Sequence, residues 1–146
     1  MGKPGLKHRI LQENARALLA QRYPGRLVLI ESPFEIADHD IRSADVAVTE
    51  MKRVAQAALA LKGAPEIVVE VLSPSNTVAA LKEFRRLCFA SGTEVFLTLD
   101  PDDHTVEVQQ KGQKNRLFAP GEQFEIEALG IAASFSVDAL FAPDLP

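Results

Sequence analysis

Between Leu6 and Tyr23 the apolar residues Ile10, Leu11, Ala15, Leu18 and Leu19 recur at helical spacing, and "YPG" stops the pattern. The spacing predicts a first helix. "RLVLIES" (26–32) then reads as a strand that Pro33 interrupts, "ADHDIRS" (37–43) as a polar turn, and "ADVAVTE" (44–50) as a second strand. In "MKRVAQAALALKGAP" (51–65), Met51, Val54, Ala58 and Leu61 sit at near-helical intervals, but the alanines blur the contrast between faces. The segment reads as a helix or an ordered loop, ended by Gly63 and Pro65.

"EIVVEVL" (66–72) is a short β-branched run of the kind that forms a strand covered on both faces. Ser73, Ser75 or Asn76 can cap the helix that follows, which runs to about Ala90 and stops at Gly92. Along it Val78, Leu81, Phe84, Leu87 and Cys88 form an apolar stripe at helical spacing. "TEVFLTLD", the turn "PDDH" and "TVEVQQ" predict a hairpin with Val106 and Val108 on one face. "RLF" and "FEIEAL" are shorter strands, and "FSVDALFAP" is a short helix or turn anchored by Phe135, Leu140 and Phe141. This order predicts an α/β fold in which a mixed central β-sheet is flanked by helices, with residues 1–146 forming one domain.

Composition narrows the chemistry. The chain is 47% hydrophobic and 25% charged, which is globular. No apolar stretch is long enough for a membrane span and the start carries no signal-peptide segment, so a cytoplasmic protein is expected. The single cysteine, Cys88, excludes an intramolecular disulfide and a thiolate zinc cluster; any metal must be held by oxygen or imidazole. A net charge of −4 argues against a general nucleic-acid coat and leaves local patches. One such patch is the basic N-terminal stretch with Lys3, Lys7, Arg9, Arg16, Arg22 and Arg26, which precedes an acidic one from Glu31 to Glu50.

Glu70 is out of place in this pattern. A carboxylate inside an apolar strand needs a metal, hydrogen bonds or an opposite charge in place of its water. Asp45 lies in another predicted strand. Adjacent strands are about 4.8 Å apart, so two carboxylates at matching heights can share one divalent cation, with waters and phosphate oxygens completing the shell. Two solvated surface acids are the plainer alternative. The remaining candidates read structurally: "DHD" (38–40) as a solvated turn, His8 and His104 as surface residues, and Ser73 or Ser75 as caps without a paired histidine. Cys88 reads as a buried small hydrophobe. Phosphate-binding loops, dinucleotide glycine patterns and nucleophile elbows are absent.

The elements "ADVAV", "EVLSPSNT" and "SGTEVFLTLDP", with His8 and "ILQENARALLA" before them, together resemble the Uma-two family of restriction endonucleases, members of the PD-(D/E)XK nuclease superfamily. The resemblance covers nearly the whole chain from His8 onward, and "EVLSPS" after an apolar strand is its most specific part. It implies a restriction-endonuclease-like core in which Asp45 and Glu70 are the catalytic, metal-binding acids, with Mg²⁺ or Mn²⁺ as cofactor and DNA phosphodiesters as substrate.

Two departures qualify what it implies. Members typically carry an acid and, four residues later, a lysine on the helix after "SPSNT"; ungapped alignment puts Ala80 and Phe84 there, with Cys88 where a tyrosine is common. Phenylalanine cannot supply a cation to the developing phosphoryl charge. Lys82 points away, two residues along a helix being about 200° of rotation. Arg85 is only about 100° round and is a poor proton carrier. The family also usually has a β-hairpin before the first core helix, whereas this chain begins almost at the helix. An open sheet edge would then invite a homodimer or a partner supplying the hairpin. The expectations are thus a metal-dependent endonuclease whose lysine is replaced by Phe84, or a catalytically inactive nuclease fold that binds nucleic acid or protein or serves as an oligomer subunit.

Overall fold

Leu11, Ala15 and Leu19 recur every fourth residue, and this stripe seats helix α1 (Leu6–Arg22) on a β-sheet with all three side chains buried. The computed structural model describes residues 5–37 and 39–143. Following α1 come β1 (Leu27–Ile30), β2 (Pro33–Ile36), β3 (Asp40–Ser43), β4 (Val46–Thr49), α2 (Met51–Ala55), β5 (Leu61–Lys62) and β6 (Ile67–Val71). Helix α3 (Val78–Ala90) leads to β7 (Val95–Asp100), β8 (Thr105–Gln110), β9 (Arg116–Phe118), β10 (Gln123–Ala128), β11 (Ile131–Ser136) and α4 (Val137–Phe141).

The central sheet has six strands in the order β1-β4-β6-β7-β8-β9. Only β6 and β7 run parallel, joined across α3; the other pairs are antiparallel. Side chains alternate across a strand, so the sheet sorts its residues by parity. Val46, Val48, Ile67, Val69, Val71, Leu97 and Leu99 enter one core with α1, α4 and the β10–β11 hairpin. Ala47, Val68 and Phe96 enter a second core, with Phe84 and Cys88 of α3 and with Phe34, Ile36 and Leu61 from the region of the small sheet β3-β2-β5. The mixed sheet flanked by helices expected from the pattern is the one observed. No helix among the described residues is long and apolar enough to cross a membrane.

Several local readings are corrected. Pro33 opens strand β2 instead of ending one, since a proline at a strand's first position removes a donor that need not be used. The segment read as a polar turn contains β3, paired antiparallel to β2 with Pro33 opposite Ser43. Residues 51–65 hold only the five-residue α2 before β5 pairs with β2. "IAASFS" forms β11, a strand of small residues whose Ala133 and Phe135 turn inward. The cap of α3 is Thr77, in extended conformation, whose Oγ1 accepts from Ala80 N–H at 3.0 Å; Asn76 instead holds the preceding loop, its Oδ1 accepting from Ser73 N–H at 2.7 Å. Val78, expected in the apolar stripe, is 86% exposed.

Candidate functional site

The parity of β6 decides where Glu70 points. Val68 faces α3, so Glu70, two residues on, faces the same way at the strand's end. The antiparallel register pairs Val46 with Val69, and one further step sets Asp45 beside Glu70. Each acid then caps the other's strand: Asp45 N–H donates to Glu70 Oε2 at 3.0 Å, and Val71 N–H donates to Asp45 Oδ2 at 2.7 Å. A third group joins from α1, with His8 Nε2 standing 3.3 Å from Asp45 Oδ2. His8 was expected at the surface, but its side chain is only 14% exposed and its Nδ1 is buried without a partner.

Burial, followed by the Asp45 charge and a hydrogen bond to its carboxyl, pushes the Glu70 carboxyl up to about 9. Two neighbouring carboxylates do not both ionise cheaply. The pair opens into a cleft of about 700 Å³ that also takes in His8, Glu31, Ser73 and Ser75. Among the described residues no group of three or more His, Cys, Asp or Glu converges as a metal cage. The donor set is nonetheless the sparse, hard-oxygen one that Mg²⁺ accepts, two carboxylates with room for water and phosphate oxygens. Oδ2 and Oε2 are occupied by backbone donors, while Oδ1 and Oε1 accept nothing from backbone or cation among the described residues.

Among the described residues neither Lys82 nor Arg85, the α3 cations considered from the sequence, forms an ion pair with either acid. Phe84 is buried 6.2 Å from the Phe34 ring centroid and 5.8 Å from that of Phe96, the latter edge-on. Ala80 and Lys82 lie exposed on α3. Arg85 is engaged elsewhere, ion-paired through Nη1 with Glu107 Oε1 and lying 5.8 Å from the Phe96 centroid. Glu107 is two strands from Glu70 on the same rung, since Glu70 pairs with Thr98 and Thr98 with Glu107. Cys88 is buried, its thiol pushed up to about 12 chiefly by burial.

The other candidates stand apart from the acids. Asp40 pairs with Arg42, His39 is exposed beside Glu35, and Asp38 lies outside the described residues. His104 stacks on Phe141 at 4.9 Å. Ser73 and Ser75 share a hydrogen bond at 3.0 Å on the cleft's rim, with no histidine paired to either. The missed residue is His8. Its position in the first turn of a basic helix carried no local sign of a contact made 37 positions along the chain.

The Uma2 family, described as "Putative restriction endonuclease", matches residues 1–138. The chain belongs to this family. Restriction-endonuclease-like proteins generally use divalent metals. Among solved structures, this Uma2 member is similar to a nuclease of the DUF820 group, also described as putative, from Anabaena variabilis ATCC 29413. That likeness has a TM-score of 0.81 at 22% identity, over 97% of this chain and 83% of the other, and establishes the fold. A DrdV–DNA complex is far more distant, with a TM-score of 0.40 and 10% identity over 75% of this chain and 9% of that one. No curated protein matches the chain.

Proposed function

We propose that this Uma2 member is a divalent-metal-dependent endonuclease of DNA, with Asp45 and Glu70 as its catalytic acids and metal ligands and with Phe84 in place of the family's lysine. The observation that carries it is the reciprocal clasp, which fixes both carboxylates through Oδ2 and Oε2 at the wall of the cleft that both residues line. Bound there, Mg²⁺ or Mn²⁺ would lower the pKa of a coordinated water and draw charge from the phosphoryl oxygens. The chain's own part is to hold the two acids at fixed spacing, to supply the backbone donors that orient them, and to seat His8 against Asp45. No α3 cation adds to transition-state stabilisation, so slow turnover is expected.

The test is calorimetric titration of Mg²⁺ and Mn²⁺ into wild type and Glu70→Gln, with cleavage of supercoiled plasmid by the same samples. Binding and cleavage that both vanish in the variant support the proposal; cleavage that survives in Glu70→Gln refutes it. His8 acts through Asp45 as a positioning residue. His8→Ala is expected to weaken metal affinity about tenfold, and His8→Gln, which keeps an N–H donor at similar reach, to recover part of it. Equal losses in both variants would reduce His8 to packing.

A second reading, a nuclease fold that binds without cutting, is favoured by the same Phe84. The ring packs against Phe34 and Phe96 at the position that the resemblance aligns with the family's lysine, and Arg85 is committed to Glu107. Metal binding without plasmid cleavage would select it. The end strands β1 and β9 each have one paired edge, so a homodimer joined along one of them belongs to either reading. Sedimentation across a wide concentration range reads it directly.

A further inference from the structure

Three features that the fold leaves unexplained meet in one cleft of about 530 Å³, next to the acids on the α3 face of the sheet. The Thr98 side chain, 5% exposed, buries its Oγ1 there without a hydrogen-bond partner among the described residues, which is costly unless a ligand supplies one. Two large apolar side chains from different elements stand in the lining yet face solvent: Val78, at the start of α3, is 86% exposed, and Leu117, on the end strand β9, is 67% exposed. The Arg85–Glu107 ion pair completes the lining, its arginine only 15% exposed. Apolar walls with a few convergent polar groups are the usual form of a site for a small organic group.

Charge and position select the group. Asp100, Asp102 and Glu107 outnumber Arg85 around the cleft, which disfavours a phosphate, and the apolar walls disfavour a metal ion. A nucleobase is flat and apolar on its faces and carries donors and acceptors on its edge. Val78 and Leu117 suit the faces. The Thr98 hydroxyl, the Arg85 N–H groups not used by Glu107, and the Glu107 carboxylate suit the edge. Thr98 is the register partner of Glu70, so the cleft begins one strand, about 4.8 Å, from the acids. It also shares Leu72, Ser73, Pro74, Asn76, Pro101 and Asp102 with the acid cleft.

We propose that this second cleft receives an unpaired nucleobase of the substrate strand while a neighbouring phosphodiester lies at Asp45 and Glu70. The inference rests on the nuclease reading and specifies its substrate: single strands, strand ends or locally opened duplex. A base paired in a duplex would first have to leave its stack and its partner, which an unpaired base does not.

The experiment uses a single-stranded DNA oligonucleotide containing 2-aminopurine, whose emission rises when the base leaves its neighbours, titrated with the whole protein in Ca²⁺ and assayed in parallel for cleavage in Mg²⁺. Wild type is expected to raise the emission. Val78→Asp combined with Leu117→Asp, two exposed positions whose change leaves the cores intact, should abolish the rise and weaken oligonucleotide binding about tenfold. Thr98→Val, which exchanges the hydroxyl for a methyl group of similar size, should reduce the rise. Binding with unchanged emission in wild type, or a rise that survives the double variant, overturns the base cleft whatever the cleavage result. A rise that depends on Val78, Leu117 and Thr98 with no cleavage in Mg²⁺ upholds the cleft and overturns the nuclease reading instead.

Discussion

Glu70→Gln is expected to make the metal-free protein more stable, and to do so increasingly as the pH rises from about 4.5 to about 9. Burial and the neighbouring Asp45 hold the Glu70 carboxyl protonated in the folded state far above its ordinary value of 4.5. Across that window the unfolded chain has released a proton that the folded chain retains, so wild-type stability falls with rising pH. Below about 4.5 both states are protonated and the variant gains nothing. Glutamine has no proton to lose, and its side-chain oxygen can still accept the Asp45 N–H. The gain near neutral pH should be about 1–3 kcal/mol, several degrees in Tm for a chain of this size.

Divalent metal should reverse the ranking. Excess Mg²⁺ stabilises whichever form binds it, and loss of one of two carboxylate ligands should weaken binding at least about a hundredfold, some 2.8 kcal/mol. Thermal melts of both proteins across the pH window, with and without Mg²⁺, are the measurement. Identical melts at every pH without metal would show that Glu70 is not held neutral. Failure of Mg²⁺ to raise the wild-type Tm would remove the metal from the proposal.

Phe84→Ala should be strongly destabilising, at about 3–5 kcal/mol and about 10 °C in Tm. Its ring contacts Phe34 and Phe96, and the Arg42 guanidinium carbon lies 5.9 Å from its centroid. Truncation would open a cavity in the core shared by α3 and the small sheet. Phe84→Lys should fare no better. It would bury an ammonium among apolar side chains with an arginine already overhead, and an acid introduced at the exposed Ala80 would have to turn inward to pair with it. Denaturation with a plasmid-cleavage assay decides this: a Phe84→Lys protein as stable as wild type and faster at cutting would show that the position still belongs to the active site.

The residues that surround Phe84 and Glu70 also show how far the chain's own pattern reaches. The β-branched run in "EIVVEVL" was enough to place Glu70 inside a buried strand, and helical spacing was enough to put Phe84 and Cys88 on the inward face of α3. The central strands, the crossover helix and the mixed sheet followed from those same local rules. Where side-chain contrast was low the rules gave little: "IAASFS" pairs as β11 although its outward residues are merely small. Pro33 begins a strand because the donor it lacks is one that a strand's first position does not need.

Only the tertiary structure could decide what each acid faces. The clasp between Asp45 and Glu70 depends on the register of β4 against β6, His8 reaches Asp45 from the start of α1, and Arg85 is claimed by Glu107 across the α3–sheet interface. Such contacts join residues far apart in the chain, and no periodicity encodes them. What the sequence by itself determined is the face on which each side chain lies, because backbone geometry sets that residue by residue. Which partner waits there is a property of the packed sheet, where strand order and register bring distant segments to the same height.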